Sequence, residues 1–202
     1  ELPSWRILAT IGASVVVLGG VVLAGWLWFS ARQHRALESF AEAMVKVQRS
    51  QAQGASPEAK LIAIRELEAT LNQQPSATVV AQVTYELGNL KYQEQQYPSS
   101  RLAYELAAAS SSPTLSRLAQ VNVGYTWEAQ KDYAKAIETF QRAVASLKPG
   151  EFLYDELLVD LARVQELAGQ KDAAIKTYRR VLENPKTRRS EDIRARLATL
   201  EK

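Results

Sequence analysis

The chain has 202 residues, with 25 Lys and Arg against 22 Asp and Glu and a formal net charge of +3. That length holds one domain with a sizeable core plus an appended segment, and so even a balance excludes the clustered basic excess of a nucleic-acid binder. With no cysteine and a single histidine, His34, disulfide frameworks, thiolate metal sites and Ser-His-Asp triads are excluded as well.

The first element is apolar. No charge occurs from Ile7 to Phe29, and as a helix rising about 1.5 Å per residue this run spans roughly 34 Å, enough to cross a hydrocarbon core of about 30 Å. Trp5 stands at one end and Trp26, Trp28 and Phe29 at the other, where amphipathic rings favour the headgroup region. The run is longer than a signal-peptide core and ends in bulky residues, so a retained transmembrane anchor is expected. Small residues recur four apart, Ala9 with Ala13 and Gly20 with Ala24, a spacing that lets a second membrane helix approach. Arg6 closes one flank, and Arg32, His34 and Arg35 close the other. The visible arginines, two against one, favour a cytoplasmic C-terminal flank, although the charge count alone does not settle the orientation.

Beyond residue 35 the chain repeats itself. Gly88 and Gly124, Tyr97 and Tyr133, Tyr104 and Phe140, Ala107 and Ala143, and Pro113 and Pro149 are all 36 residues apart. A third copy has Ala162 in the glycine position, then Ala174, Tyr178 and Pro185; a degenerate first unit runs over 36–75, interrupted by the loop 50–57. Each unit reads as two helices. Glycine inside a helix costs about 1 kcal/mol against alanine, so Gly88 and Gly124 imply close approach of the second helix, at Ser100 and Ala136. Tyr104, Phe140 and Tyr178 are expected to fill the space to the next unit, and Pro113, Pro149 and Pro185 to end the second helices. Ser190 reads as the N-cap of a last helix striped by Ile193, Leu197 and Leu200. From Lys171 onward there are ten Lys/Arg against five Asp/Glu, read as the solvated face of an end cap.

These residues resemble the tetratricopeptide repeat (TPR): L-G in the first helix, A and F/Y in the second, P at the end. With the apolar run ahead of it, the resemblance implies an all-α fold: a single N-terminal transmembrane helix, then a right-handed α-solenoid of the repeat type with a C-terminal capping helix. The expected division is an anchor and flank over 1–35 and a repeat domain over 36–202, with repeats at about 81–113, 117–149 and 155–186 and a cap at about 190–201. One transmembrane helix running straight into such repeats also resembles the YfgM-like ancillary subunits of the bacterial SecYEG translocon. That resemblance implies an inner-membrane protein with periplasmic repeats, against the arginine count. Its partners would be translocon subunits, a membrane-anchored folding factor or client polypeptides, beside the lipid bilayer.

In TPR arrays the first helices line the binding groove. Carrying those offsets over gives Gln82, Tyr85, Asn89 and Tyr92, then Val121, Tyr125 and Glu128, then Val159, Arg163 and Glu166. Asn89 matches an offset used by carboxylate-clamping arrays, but the lysine such clamps need is replaced by Tyr85, Val121 and Val159, so no clamp is expected. Packing of the repeats falls to Gly88, Tyr104, Ala107, Gly124, Ala136, Phe140, Ala143, Ala162, Ala174 and Tyr178; membrane anchoring falls to Trp5, Gly20, Ala24, Trp26 and Trp28. Asp155, Glu156 and Asp160 read as a solvated helix face, and no glycine-rich phosphate loop occurs. The expectation is a protein-binding module, not an enzyme, with no cofactor, metal, nucleic acid or small-molecule substrate. The alternatives are a scaffold subunit of another envelope complex, or an anchored receptor with cytosolic repeats.

Overall fold

A computed structural model describes residues 5–185 and 187–202; side chains are described from residue 16 onward, except at 57. Those of Trp5, Ala9 and Ala13 therefore lie outside the described residues. All regular structure in the described residues is helical, and the chain divides into two compact units, 1–79 and 80–202.

The first unit is a helical hairpin of α1 (Trp5–Ser50) and α2 (Pro57–Asn72). No glycine or proline occurs between Gly25 and Gly54. The apolar stretch accordingly continues into polar sequence as one unbroken helix. Gly54, at φ +80, turns the chain, and Pro57 opens α2 in the first turn, where its missing N–H costs nothing. Small and branched residues on each helix form the seam: Ala36, Ala43 and Val47 on α1, Ala63, Ile64 and Leu67 on α2. The Ser39 and Thr70 hydroxyls meet across it at 2.9 Å, and Lys46 pairs with Glu66. The other half of α1 is bare. From Val16 to Phe29 every residue is exposed, and by length and composition this helix is long and apolar enough to cross a membrane.

The second unit is built from α3 (Ala77–Gln93), which enters it at residue 80, and then α4 (Tyr97–Ala108), α5 (Pro113–Ala129), α6 (Tyr133–Ala145), α7 (Tyr154–Leu167), α8 (Lys171–Leu182) and α9 (Ser190–Leu200). From α4 to α9 each helix packs on the next. One core cluster runs from Val121 through Phe140, Leu158 and Val181 to Ile193 and Leu197. No pair could bury its apolar stripe alone; stacking does it, as in helical repeats generally.

Three turns inside the pairs share one geometry. Gln95, Lys131 and Gly169 all have positive φ, at 58°, 61° and 74°. The following amides of Gln96, Asp132 and Gln170 reach back to the carbonyls of Lys91, Trp127 and Gln165 at 2.8, 3.0 and 2.8 Å. This six-to-one bond ends each first helix in a Schellman motif, whose left-handed position favours glycine. Only the third turn has one.

The notched glycines are occupied differently from expectation. A Cβ on Gly88 would lie 2.5 Å from the Tyr104 ring, and one on Gly124 would lie 2.7 Å from Phe140. The aromatic rings thus sit on the glycines of their own pairs, and Tyr104 also clusters with Ala119 and Val123 of the next, as Phe140 does with Leu158. The Ser100 hydroxyl completes the contact by donating to the Gly88 carbonyl at 2.8 Å. Pro113 does not end α4; it is the first residue of α5, with Ser112 as the cap whose side chain accepts from the Leu115 amide. A pre-set φ and an unneeded N–H suit proline to that start. Likewise Ser190 begins α9 and Arg189 takes the cap position.

Candidate functional site: a cleft across three first helices

Successive first helices are joined by polar rungs. Asn122 Nδ2 on α5 donates to the Tyr85 hydroxyl on α3 at 3.3 Å. The Tyr125 hydroxyl on α5 donates to Asp160 on α7 at 2.5 Å. Arg163 on α7 pairs with Glu128 on α5 and with Asp160, the latter at 2.9 Å. Second helices add bonds of the same kind: Tyr104 donates to Asn89 at 2.9 Å and Tyr178 to Glu166 at 2.7 Å.

Where these rungs converge, a cleft of about 350 Å³ is lined by Tyr92, Tyr125, Glu128, Lys131, Tyr133, Arg163 and Leu167. Four of the ten groove residues named from sequence, Tyr92, Tyr125, Glu128 and Arg163, come together there. Tyr92 packs edge-on against Tyr97 at 5.3 Å between centroids, and Tyr125 against Phe140 at 5.4 Å. Gln82 is exposed away from the cleft lining. Tyr85 and Asn89 are half-buried and committed to Tyr104, by an edge contact of 5.8 Å and by the hydrogen bond above. Val121 and Val159 are buried among core residues, where they pack instead of facing outward. Glu166 holds Arg196 of α9.

Asp160 departs most from its sequence reading. It is not a solvated helix face but a half-buried acceptor for Tyr125 and Arg163. Burial pushes its carboxyl above the usual aspartate range, against the hydrogen bond from Tyr125 and the pull of Arg189. Burial, reinforced by the bond to Asp160, drives the Tyr125 hydroxyl well above the tyrosine range, so it remains a donor at any physiological pH. Lys131, Tyr133 and Leu167 escaped the first-helix offsets because they lie at or beyond the helix ends. The positive-φ turn that carries Lys131 is what aims that segment at the cleft. The 36-residue spacing of Tyr97 and Tyr133 was the available signal.

The cleft's chemistry follows from this bookkeeping of charge. Glu128, Asp160 and Arg163 satisfy one another, leaving tyrosine faces, Leu167 and the exposed Lys131 as the surfaces a visitor would touch. Such a site grips apolar and aromatic side chains with a few amide contacts, as polypeptide-binding surfaces do.

The comparisons with known proteins agree with the geometry. The family model described as tetratricopeptide repeat matches residues 128–198, from the last turn of α5 through most of α9. Two solved structures with this fold are crystal structures of MamA, each superposing with a TM-score of 0.51 at 23% identity over 62% of this chain and over 68% and 63% of theirs. No curated protein matches the sequence. The fold is an all-α array of TPR-like repeats behind a long apolar helix, and arrays of that type serve as protein–protein interaction modules.

Proposed function

We propose that this chain is a membrane-anchored module that captures polypeptides in the Tyr92–Tyr125 cleft, as an adaptor or chaperone-like subunit beside the protein-export translocon of a bacterial inner membrane, with its repeats in the periplasm. The observation that carries the capture is the convergence of three first helices on one aromatic cleft in which Arg163 is paired with Glu128 and Asp160. The bare apolar length of α1 supports the anchor. Placement beside the translocon rests on the architecture, one anchor continuing directly into repeats.

A photoreactive residue at Tyr92 in native membranes tests this placement. Crosslinks to translocon subunits or to a membrane-anchored folding factor are expected; crosslinks to neither would overturn it. Replacing Tyr92 and Tyr125 together by Ala removes the two ring faces, and a loss of about 2 kcal/mol or more, some thirtyfold in affinity, is expected for the crosslinked partner. An unchanged affinity with helicity intact would move the site elsewhere. The basic flank at Arg32, His34 and Arg35 favours a second reading, a receptor with cytosolic repeats. Protease protection of the repeats in intact spheroplasts separates the two orientations.

A further inference from the structure

A second cleft, of about 730 Å³, opens between α1 and α2, just where α1 leaves its apolar stretch; Trp28, Arg32, Arg35, Glu38, Glu42 and Gln73 are among its walls. Resting on the anchored reading above, we infer that this cleft holds the headgroup of a zwitterionic glycerophospholipid, with its phosphate on Arg32 and Arg35 and its terminal ammonium on Glu38.

The position follows from helix geometry. Arg32 and Arg35 lie three and six residues past Phe29, about 4.5 and 9 Å along the axis. The headgroup layer adds roughly 5–8 Å outside the hydrocarbon. Helical side chains lean toward the N-terminus of their own helix, here the apolar end, so Arg35 and Glu38 reach back toward that layer. The hairpin brings its other end to the same level: Arg32 Nε donates to the Gln73 carbonyl, just past α2, at 2.9 Å. Arg32 also lies over the Trp28 ring, 5.1 Å from the centroid, a contact suited to the interfacial zone.

The order of charge selects the ligand. The Arg32 bond to Gln73 uses Nε and leaves the two terminal amino groups; Arg35 spends only Nε, on the Ala31 carbonyl at 3.4 Å. These two forks suit phosphate oxygens. Glu38 and Glu42 have no cation partner among the described residues, and they lie on the side of the arginines away from the bilayer. A headgroup with phosphate nearest the glycerol and an ammonium beyond, as in phosphatidylethanolamine, meets bases first and acid second. Phosphatidylglycerol offers the same phosphate but sets neutral hydroxyls against Glu38.

The test reconstitutes the full chain in vesicles of equal phosphatidylethanolamine and phosphatidylglycerol. The chain is then released into mild detergent and weighed with its retained lipid by native mass spectrometry. Phosphatidylethanolamine is expected to be enriched about fivefold, the upper end of what one exposed ion pair, that of Glu38 with the ammonium, supplies. The swapped variant R35E/E38R keeps the composition but reverses the order of charge, and should bring the ratio to about one; the single variant E38Q should lower it without perturbing the helix. Retention of phosphatidylglycerol at an equal or higher level, or a ratio unmoved by both variants, overturns the site. Flotation of the same vesicles reads the anchor separately. A chain that fails to float denies the anchor and this site with it, whereas one that floats without lipid preference denies the site alone.

Discussion

Gly88 and Gly124 support aromatic rings, and the sign of a substitution there is decided by two opposing magnitudes. Alanine would improve helix propensity by about 1 kcal/mol. Its methyl at 124, however, would lie 2.7 Å from two atoms of the Phe140 ring, itself fully buried. A fully buried ring has little room to retreat, and overpacking costs about 1–3 kcal/mol. Gly124→Ala is therefore expected to lower stability by about 1 kcal/mol net, read from the urea midpoint of the chain in detergent. Adding Phe140→Leu should recover part of the loss, because the smaller side chain vacates the contested space. Recovery distinguishes a packing clash from a backbone effect. The need for glycine was legible in the sequence; the ring it serves was not, since periodicity fixes a residue's position in its own helix but not the neighbour it meets.

At the scale of the element, the turns within the pairs tie local sequence to the cleft. Lys131 adopts a left-handed φ of 61° that costs a non-glycine residue about 1 kcal/mol, and Gly169 holds the same position in the next pair. Lys131→Gly should relieve that cost, partly offset by the freer unfolded chain, and raise the thermal midpoint by a few degrees. An unchanged or lower midpoint would mean that the lysine side chain contributes to the turn. The helix pairs themselves were plain from the recurring Gly, Ala, aromatic and Pro positions. Less plain was the work of Pro113, because a proline after one helix and before another satisfies both rules equally, and only the folded chain shows it opening α5. Asp160 was hidden for a different reason: its partner Tyr125 is 35 residues away on another helix, and no local pattern marks a charge that faces inward. The far end of the array has a pH signature of its own. Burial alone would raise the Glu166 carboxyl, yet bonds from Arg196 and Tyr178 outweigh it and hold it below the usual glutamate range. A lowered folded value stabilises above the unfolded pKa, about 4.3, and that contribution disappears as pH falls through the folded value. Wild type should thus exceed Glu166→Gln by about 1 kcal/mol at pH 7, a modest figure because Arg196 is half-exposed, with the gap closing toward pH 3.

For the second unit as a whole, stability is a chain of neighbour contacts, because from α4 onward each helix packs on the next and the core cluster is continuous from Val121 to Leu197. Its C-terminal end is closed by α9, which inserts Ile193 and Leu197, 2% and 8% exposed, and ties Arg196 to Glu166 of α7 and Glu201 to Arg179 of α8. Burying two such aliphatic side chains is worth about 1.5–3 kcal/mol each. Deleting residues 190–202 should therefore uncover the apolar face of α7 and α8 and lower their local opening free energy by several kcal/mol. In a compact bundle that loss would be shared by every helix. In a linear array it should fade with distance from the cut, since α5 meets the missing helix only through α6, α7 and α8. Amide hydrogen exchange distinguishes the two directly: protection is expected to collapse over 154–182 and to persist over 113–129. Uniform loss across both segments would show that the repeats melt as one body, and the reading of the second unit as a stack of semi-independent pairs would fall with it.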